Sequence, residues 1–298
     1  MIKISRLLCC FFALHSLVSI NNVKAQQQSF KIGVNSTTFF GKPEKDASGN
    51  ALESFSPGYG FTGALITDLI LDEDGYNESG VRFEMTYSRQ VFNWKYNGPS
   101  YQIFDTQDGK TIYATGQKKV NLELATNMVK LPVMMYYKFE SGLELALGVD
   151  LGLMIGGKGK GDMIFKGKTE SGEDVPEYNT ALKYNYSNDK TTTVEFSKET
   201  FRANGQDIKL PRVIGAYYET RIKEGTPFNR YYAGINGDIA YWFQDRVALR
   251  LRANYNFVDF TSNKYSYLRQ TLDADKNVIR RKSYENFLNI QLSVDVKL

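Results

Sequence analysis

Cysteine and histidine are nearly absent from this 298-residue chain: Cys9, Cys10 and His15 are the only ones, and all three lie near its start. That start reads as an export signal over residues 1–25. Lys3 and Arg6 make a basic head, residues 7–20 are apolar apart from His15, Ser16 and Ser19, and Val23-Lys24-Ala25 offers a small-residue cleavage site before Gln26. The apolar run falls short of the roughly 20 residues that a membrane-spanning helix takes. No lipoprotein-type triplet precedes either cysteine. Cleavage would leave a chain with no thiol, no disulfide and no imidazole, which excludes cysteine- and histidine-based catalysis. An excess of one charge is also missing. Taking Lys3, Arg6 and Lys24 from the 37 basic residues leaves 34 against 33 acidic ones, without the basic stripe that nucleic-acid binding needs. Proline is scarce and no later segment is apolar enough for a membrane helix. What is abundant is tyrosine (20), phenylalanine (19) and glycine (25), a composition that points to an all-β chain.

The dominant pattern is strict alternation, the period of a strand with two unlike faces. At the end of the chain Leu288, Ile290, Leu292, Val294, Val296 and Leu298 are apolar, and every residue between them is polar. Leu143 to Ile155 sets Leu143, Leu145, Leu147, Val149, Leu151, Leu153 and Ile155 against Glu144, Ala146, Gly148, Asp150, Gly152 and Met154. Residues 231–243 and 247–257 alternate similarly. Residues 29–36, 59–71, 80–91 and 127–139 do so more weakly. Eight strands are therefore expected, most near the 9–11 residues a tilted membrane strand needs.

Short turns at 72–79, 140–142 and 244–246 alternate with long polar segments at 37–58, 92–126, 157–230 and 258–286. That asymmetry belongs to outer-membrane barrels, whose short side is periplasmic. The expected architecture is an all-β, eight-stranded antiparallel up-and-down transmembrane β-barrel over residues 26–298, with long extracellular loops, the largest at 157–230. The chain would sit in the cell outer membrane of a Gram-negative envelope. Alternation does not say which face points inward, so a soluble lipocalin-like ligand-binding barrel stays open. Long apolar faces and aromatic residues near strand ends favour the membrane.

Leu131-Pro132-Val133-Met134-Met135-Tyr136-Tyr137-Lys138-Phe139, a tight turn, and then Gly148-Val149-Asp150-Leu151-Gly152-Leu153-Met154 resemble the central hairpin of PorT-type outer-membrane β-barrel proteins. The proline inside the strand belongs to the resemblance. The family implies an outer-membrane barrel without a catalytic motif, and a possible place in a protein-secretion apparatus. The 157–230 loop is longer than in the shortest members.

Few constellations hint at chemistry. Gly156-Gly157-Lys158-Gly159-Lys160-Gly161-Asp162 lacks the spacing of a phosphate loop and reads as a flexible strand exit, with lysines at the lipopolysaccharide head-group level. Three inward charge pairs are expected as structural elements: Lys138 with Glu144, Asp238 with Arg252, and Asp68 with Arg82. Unpaired buried charge is costly, so pairing explains them without a pore or proton path. Asn254→Asp is expected to be tolerated. Glu170, Glu173 and Asp174 fit no calcium loop, and no metal or cofactor is expected. Tyr178–Tyr186, with Tyr217 and Tyr218, reads either as a recognition surface or as strands continuing past the membrane. The expected role is a non-enzymatic barrel whose surface loops bind an envelope protein partner, in contact with outer-membrane lipid and lipopolysaccharide. No small-molecule substrate is identified. The alternatives are a histidine-independent outer-membrane enzyme and a small solute channel.

Overall fold

The computed structural model describes residues 25–74, 77–106, 109–185, 195–215, 228–244, 246–261, 267–281 and 286–298. Apart from Ala25, the expected export signal lies outside them, as do Tyr186, Tyr217 and Tyr218. Every described element is a strand: β1 (Ala25–Phe40), β2 (Glu53–Asp74), β3 (Asn77–Asp105), β4 (Thr111–Lys138), β5 (Leu143–Thr169), β6 (Asp174–Asn185), β7 (Glu195–Ala203), β8 (Gln206–Gly215), β9 (Tyr231–Phe243), β10 (Val247–Asn256), β11 (Tyr267–Leu272), β12 (Val278–Arg280) and β13 (Asn286–Lys297).

Eight of these pair in a closed antiparallel cycle: β1 with β2, then β3, β4, β5, β9, β10, β13 and back to β1. The chain turns tightly where the cycle needs it. Between β4 and β5, Gly142 adopts φ 82°, a left-handed conformation that costs glycine nothing, and its N–H donates to Phe139 O at 2.9 Å. Pro132 has no N–H to give, and the β3–β4 ladder skips Glu84 and Met85 opposite it while the register stays in step on either side.

Facing decides between the two barrel readings. Leu147 is 70% exposed and Met135 72%, and the same outer wall carries Ile32, Val34, Leu151, Ile239, Leu251 and Leu292. The alternating partners Lys31, Arg82, Glu84, Glu144, Asp150, Asp238, Arg250 and Asp295 are buried inside. Polar faces point in and apolar faces point out, the reverse of a lipocalin-like barrel. Aromatic side chains edge the apolar band at both ends. Tyr137, Phe139, Tyr241 and Phe243 lie by the short turns, and Phe40, Tyr59, Tyr231 and Phe257 lie at the far end.

The long segments are not the irregular loops expected from their polarity. β3 and β4 run on through 92–126 as a paired ladder from Phe92↔Leu124 to Asp105↔Thr111. β5 continues to Thr169, and 157–230 also holds β6, β7 and β8. β6 pairs antiparallel with β5 and parallel with β8. The reason is an inversion of chemistry at constant geometry. Along β3 the inward positions change from Arg82, Glu84, Thr86, Ser88 and Gln90 to Phe92, Trp94 and Tyr96. Along β4 the outward positions change from Tyr137, Met135, Val133, Leu131 and Val129 to Glu123, Asn121, Lys119 and Gln117. Above the apolar band the ladder is therefore polar outside and apolar inside, as in a water-soluble β-domain.

Candidate functional site

The interior is layered from the short-turn end to the far end. Lowest is a charge network in which each arginine engages more than one carboxylate. Arg82 donates to both oxygens of Asp68 at 2.7 and 2.8 Å, and to both of Glu144 at 2.6 and 3.2 Å. Arg252 does the same with Asp238 at 2.7 and 2.6 Å and with Glu84 at 2.8 and 2.7 Å. Such paired contacts suit the planar guanidinium fork. Arg250 joins the two groups by donating to Asp295 at 2.6 Å, Glu144 at 2.8 Å and Asp238 at 3.1 Å. Lys31 completes the chain on Glu84 at 2.6 Å. β4 supplies Tyr136 beneath the Arg82 guanidinium and Met134 Sδ near Arg252. All eight ring strands thus contribute to one plug.

Of the three pairs expected from register, the structure brings Asp68 to Arg82 and Asp238 to Arg252. Lys138 stands opposite Glu144 in the ladder, yet the Glu144 carboxylate goes to Arg82, Arg250 and the Trp242 indole N–H at 2.8 Å. The Lys138 ammonium lies 5.5 Å from the Trp242 ring centroid, and that of Lys297 lies 4.5 Å from it. Register sees only adjoining strands, whereas an arginine spans the bore. Lys31, Glu84, Arg250 and Asp295 were therefore missed. Their inward parity was the available signal, because all four occupy the polar, inward positions of their strands.

Above the charges lies a layer of amides and hydroxyls. Asn254 donates to Asp150 Oδ2 at 2.8 Å and to Asn236, and accepts from Tyr232. Lys130 sits 4.5 Å from the Tyr232 ring centroid. The cavity between Thr86, Lys130, Asp150, Asn236 and Gln291 is about 10 Å³, about the space of one water. The expected tolerance of Asn254→Asp is thus overturned. Aspartate would lose both donated bonds and face Asp150, and a cost of about 1–3 kcal/mol is expected from the buried acceptors left unsatisfied. A urea midpoint unchanged from wild type would contradict this.

An aromatic stopper follows. Phe39 stacks on Phe92 at 4.2 Å between centroids, and Phe260 packs against Phe92, Phe228 and Phe287 at 5.1, 5.2 and 5.7 Å. Outermost is an apolar core formed by Tyr96, Phe104, Ile112, Leu122, Phe165, Leu182, Phe201 and Leu210 inside the extended ladders. Within 258–286 the β11–β12 hairpin is clamped at the rim by two buried acids. Glu44 accepts from the backbone N–H groups of Arg269 at 3.0 Å and Gln270 at 3.0 Å, and Glu53 pairs with Arg281 at 2.7 Å. The Arg269 guanidinium lies over Trp94, 4.3 Å from its centroid.

The acidic trio near the β5–β6 turn is engaged side chain by side chain. Glu170 pairs with Lys276, and Asp174 lies 3.5 Å from Lys168. Hydrogen bonds from Ser171 and from the Asn204 N–H hold the Glu173 carboxyl below its usual range. No cluster able to hold a metal ion occurs among the described residues.

No family model matches the chain, and no curated relative does. Solved structures offer distant likenesses. One is Ail, the attachment invasion locus protein of Yersinia pestis, in complex with the heparin analogue sucrose octasulfate: 9% identity, 92% of this chain and 99% of that one covered, TM-score 0.33. Others are Neisserial surface protein A, at 11% identity over 90% and 97% with TM-score 0.28, and a Pseudomonas aeruginosa FadL homologue, at 7% over 91% and 90% with TM-score 0.26. The architecture therefore rests on the pairings and facings given above.

Proposed function

We propose that the chain is a non-enzymatic, eight-stranded barrel of the cell outer membrane whose β-built outer portion binds an envelope protein partner. The observation that carries this reading is the division of one continuous wall. It has an outward apolar band with aromatic edges and a charge-filled interior, and directly above them a ladder of opposite polarity. The band fits hydrocarbon, which admits strands only as a closed set with every backbone group paired. The filled interior leaves no continuous bore for a solute channel among the described residues. The resemblance to PorT-type chains makes a protein-secretion assembly the first partner to test. Outer-leaflet lipid and lipopolysaccharide would surround the band.

In this reading 37–58, 92–126, 157–230 and 258–286 face the exterior. Protease treatment of intact cells should cut within 157–230, and cleavage confined to 140–142 would invert the topology. For the partner, the detergent-solubilised full chain is compared in pull-downs with a variant in which 170–228 is replaced by a short linker. A partner held by both equally would remove the outer portion from the proposal. For the membrane, Leu251 lies outward between Ile239 and Leu292 in the ladders. Leu251→Arg should cost about 2–4 kcal/mol, the penalty for arginine at the midplane of the lipid face. An unaltered urea midpoint in lipid vesicles would contradict the lipid-facing assignment.

A further inference from the structure

A β-bulge changes which way β5 faces at the upper edge of the apolar band. Asn127 pairs with Gly156 but Met128 pairs with Met154, so Ile155 is the extra residue. Below it the odd-numbered residues Val149, Leu151, Leu153 and Ile155 point outward. Above it the even-numbered Lys158 and Lys160 are exposed, and Gly157 and Gly159 turn inward. Without the bulge both lysines would point at the apolar interior beside Leu122 and Leu124. Bulges serve to re-aim side chains in this way. β6 adds Lys183, exposed and directly opposite Lys160 in the antiparallel register, with Asn185 opposite Lys158. Like charges facing each other across a ladder are unfavourable unless an anion lies between them. Lys160 has one counter-ion on its other side, Glu123 at 3.0 Å, and Lys158 and Lys183 have no ion pair among the described residues.

The height of this cluster names the anion. Lys158 follows Ile155, the last outward residue of the apolar band below the bulge, by three positions, about 10 Å along the strand. At the tilt of about 45° usual for membrane strands, that is roughly 7 Å above the hydrocarbon edge. Lysine stems can lie along an apolar wall and carry the ammonium to that level. We infer that Lys158, Lys160 and Lys183 form a cradle for the phosphates of outer-leaflet lipid, docked against the wall formed by Leu151, Leu153 and Ile155. This rests on the membrane reading above and gives that reading a lipid site.

The test uses the folded full chain in zwitterionic detergent, titrated with diphosphorylated lipid A, with the same lipid stripped of phosphate, and with inorganic phosphate. Each lysine near a membrane surface is worth roughly fivefold in affinity for anionic lipid. The triple variant Lys158→Gln, Lys160→Gln, Lys183→Gln should therefore bind phosphorylated lipid A about 100-fold more weakly. Lys166→Gln with Lys168→Gln, further up the same strand, should change little. Equal binding of the phosphate-free lipid, equal loss in the upper pair, or full affinity in the triple variant would each overturn the cradle. So would inorganic phosphate binding as tightly as the lipid. A wild-type chain that is monodisperse without detergent fails the membrane reading itself, a result visible before any titration.

Discussion

Arg250→Met is expected to lower folding stability by about 3–5 kcal/mol, the usual cost of removing one partner from a buried ion pair. Arg250 is fully buried, and among the described residues it is the one side chain bonded to both halves of the charge network. Its removal leaves Asp295 without the guanidinium at 2.6 Å and cuts the Arg82–Glu144 group from the Arg252–Asp238 group. Glu144 and Asp238 keep their other arginines, so Asp295 is the residue that suffers. The double change Arg250→Met with Asp295→Leu should then recover part of the loss, because both ends of one buried contact become apolar. Urea-induced unfolding in vesicles measures all three chains. A single variant within 1 kcal/mol of wild type would show that water, rather than ion pairing, satisfies the interior.

The same network shows how far the sequence could be read. Alternation at 143–155, 231–243, 247–257 and 288–298 located four of the eight ring strands plainly, because one face of each is apolar almost throughout, and the other four showed it more weakly. Asp68 with Arg82 and Asp238 with Arg252 followed from register on adjoining strands. Contacts across the bore did not follow, since nothing in a linear pattern says that Arg252 of β10 reaches Glu84 of β3. The outer strands were hidden for a different reason. From Phe92 to Asp105 and from Thr111 to Leu124 the alternation continues, but polar residues now occupy the outward positions, and Gly98-Pro99 and Gly116 interrupt the apolar set. A search for apolar residues facing lipid passes over such a ladder as a polar loop. The bulge at Ile155 adds to this, because it shifts the parity of β5 by one residue in the middle of a continuous strand.

Deleting residues 289–298 should abolish insertion altogether, the largest effect expected for any change in the chain. β13 closes the ring, pairing with β1 from Ser29↔Lys297 to Phe40↔Asn286 and with β10 from Val247↔Val296 to Asn256↔Phe287. Its loss opens two edges at once, and in hydrocarbon each unsatisfied backbone group costs several kcal/mol. Outside hydrocarbon the same edges are templates for aggregation. The deletion also takes Asp295 and Gln291 from the interior and Leu292, Val294 and Val296 from the outer wall, so no part of the wall stays complete. The truncated chain should be recovered as aggregate, with none of the heat-dependent gel mobility of a closed barrel. A peptide covering 286–298, added during refolding in detergent, should restore some of that mobility by occupying the vacant strand position. A version with Leu292 and Val294 changed to Asp should not, because it keeps the backbone donors but loses the apolar face. If the truncated chain instead reached the membrane at wild-type levels, closure through β13 would be dispensable and the eight-strand barrel would be wrong.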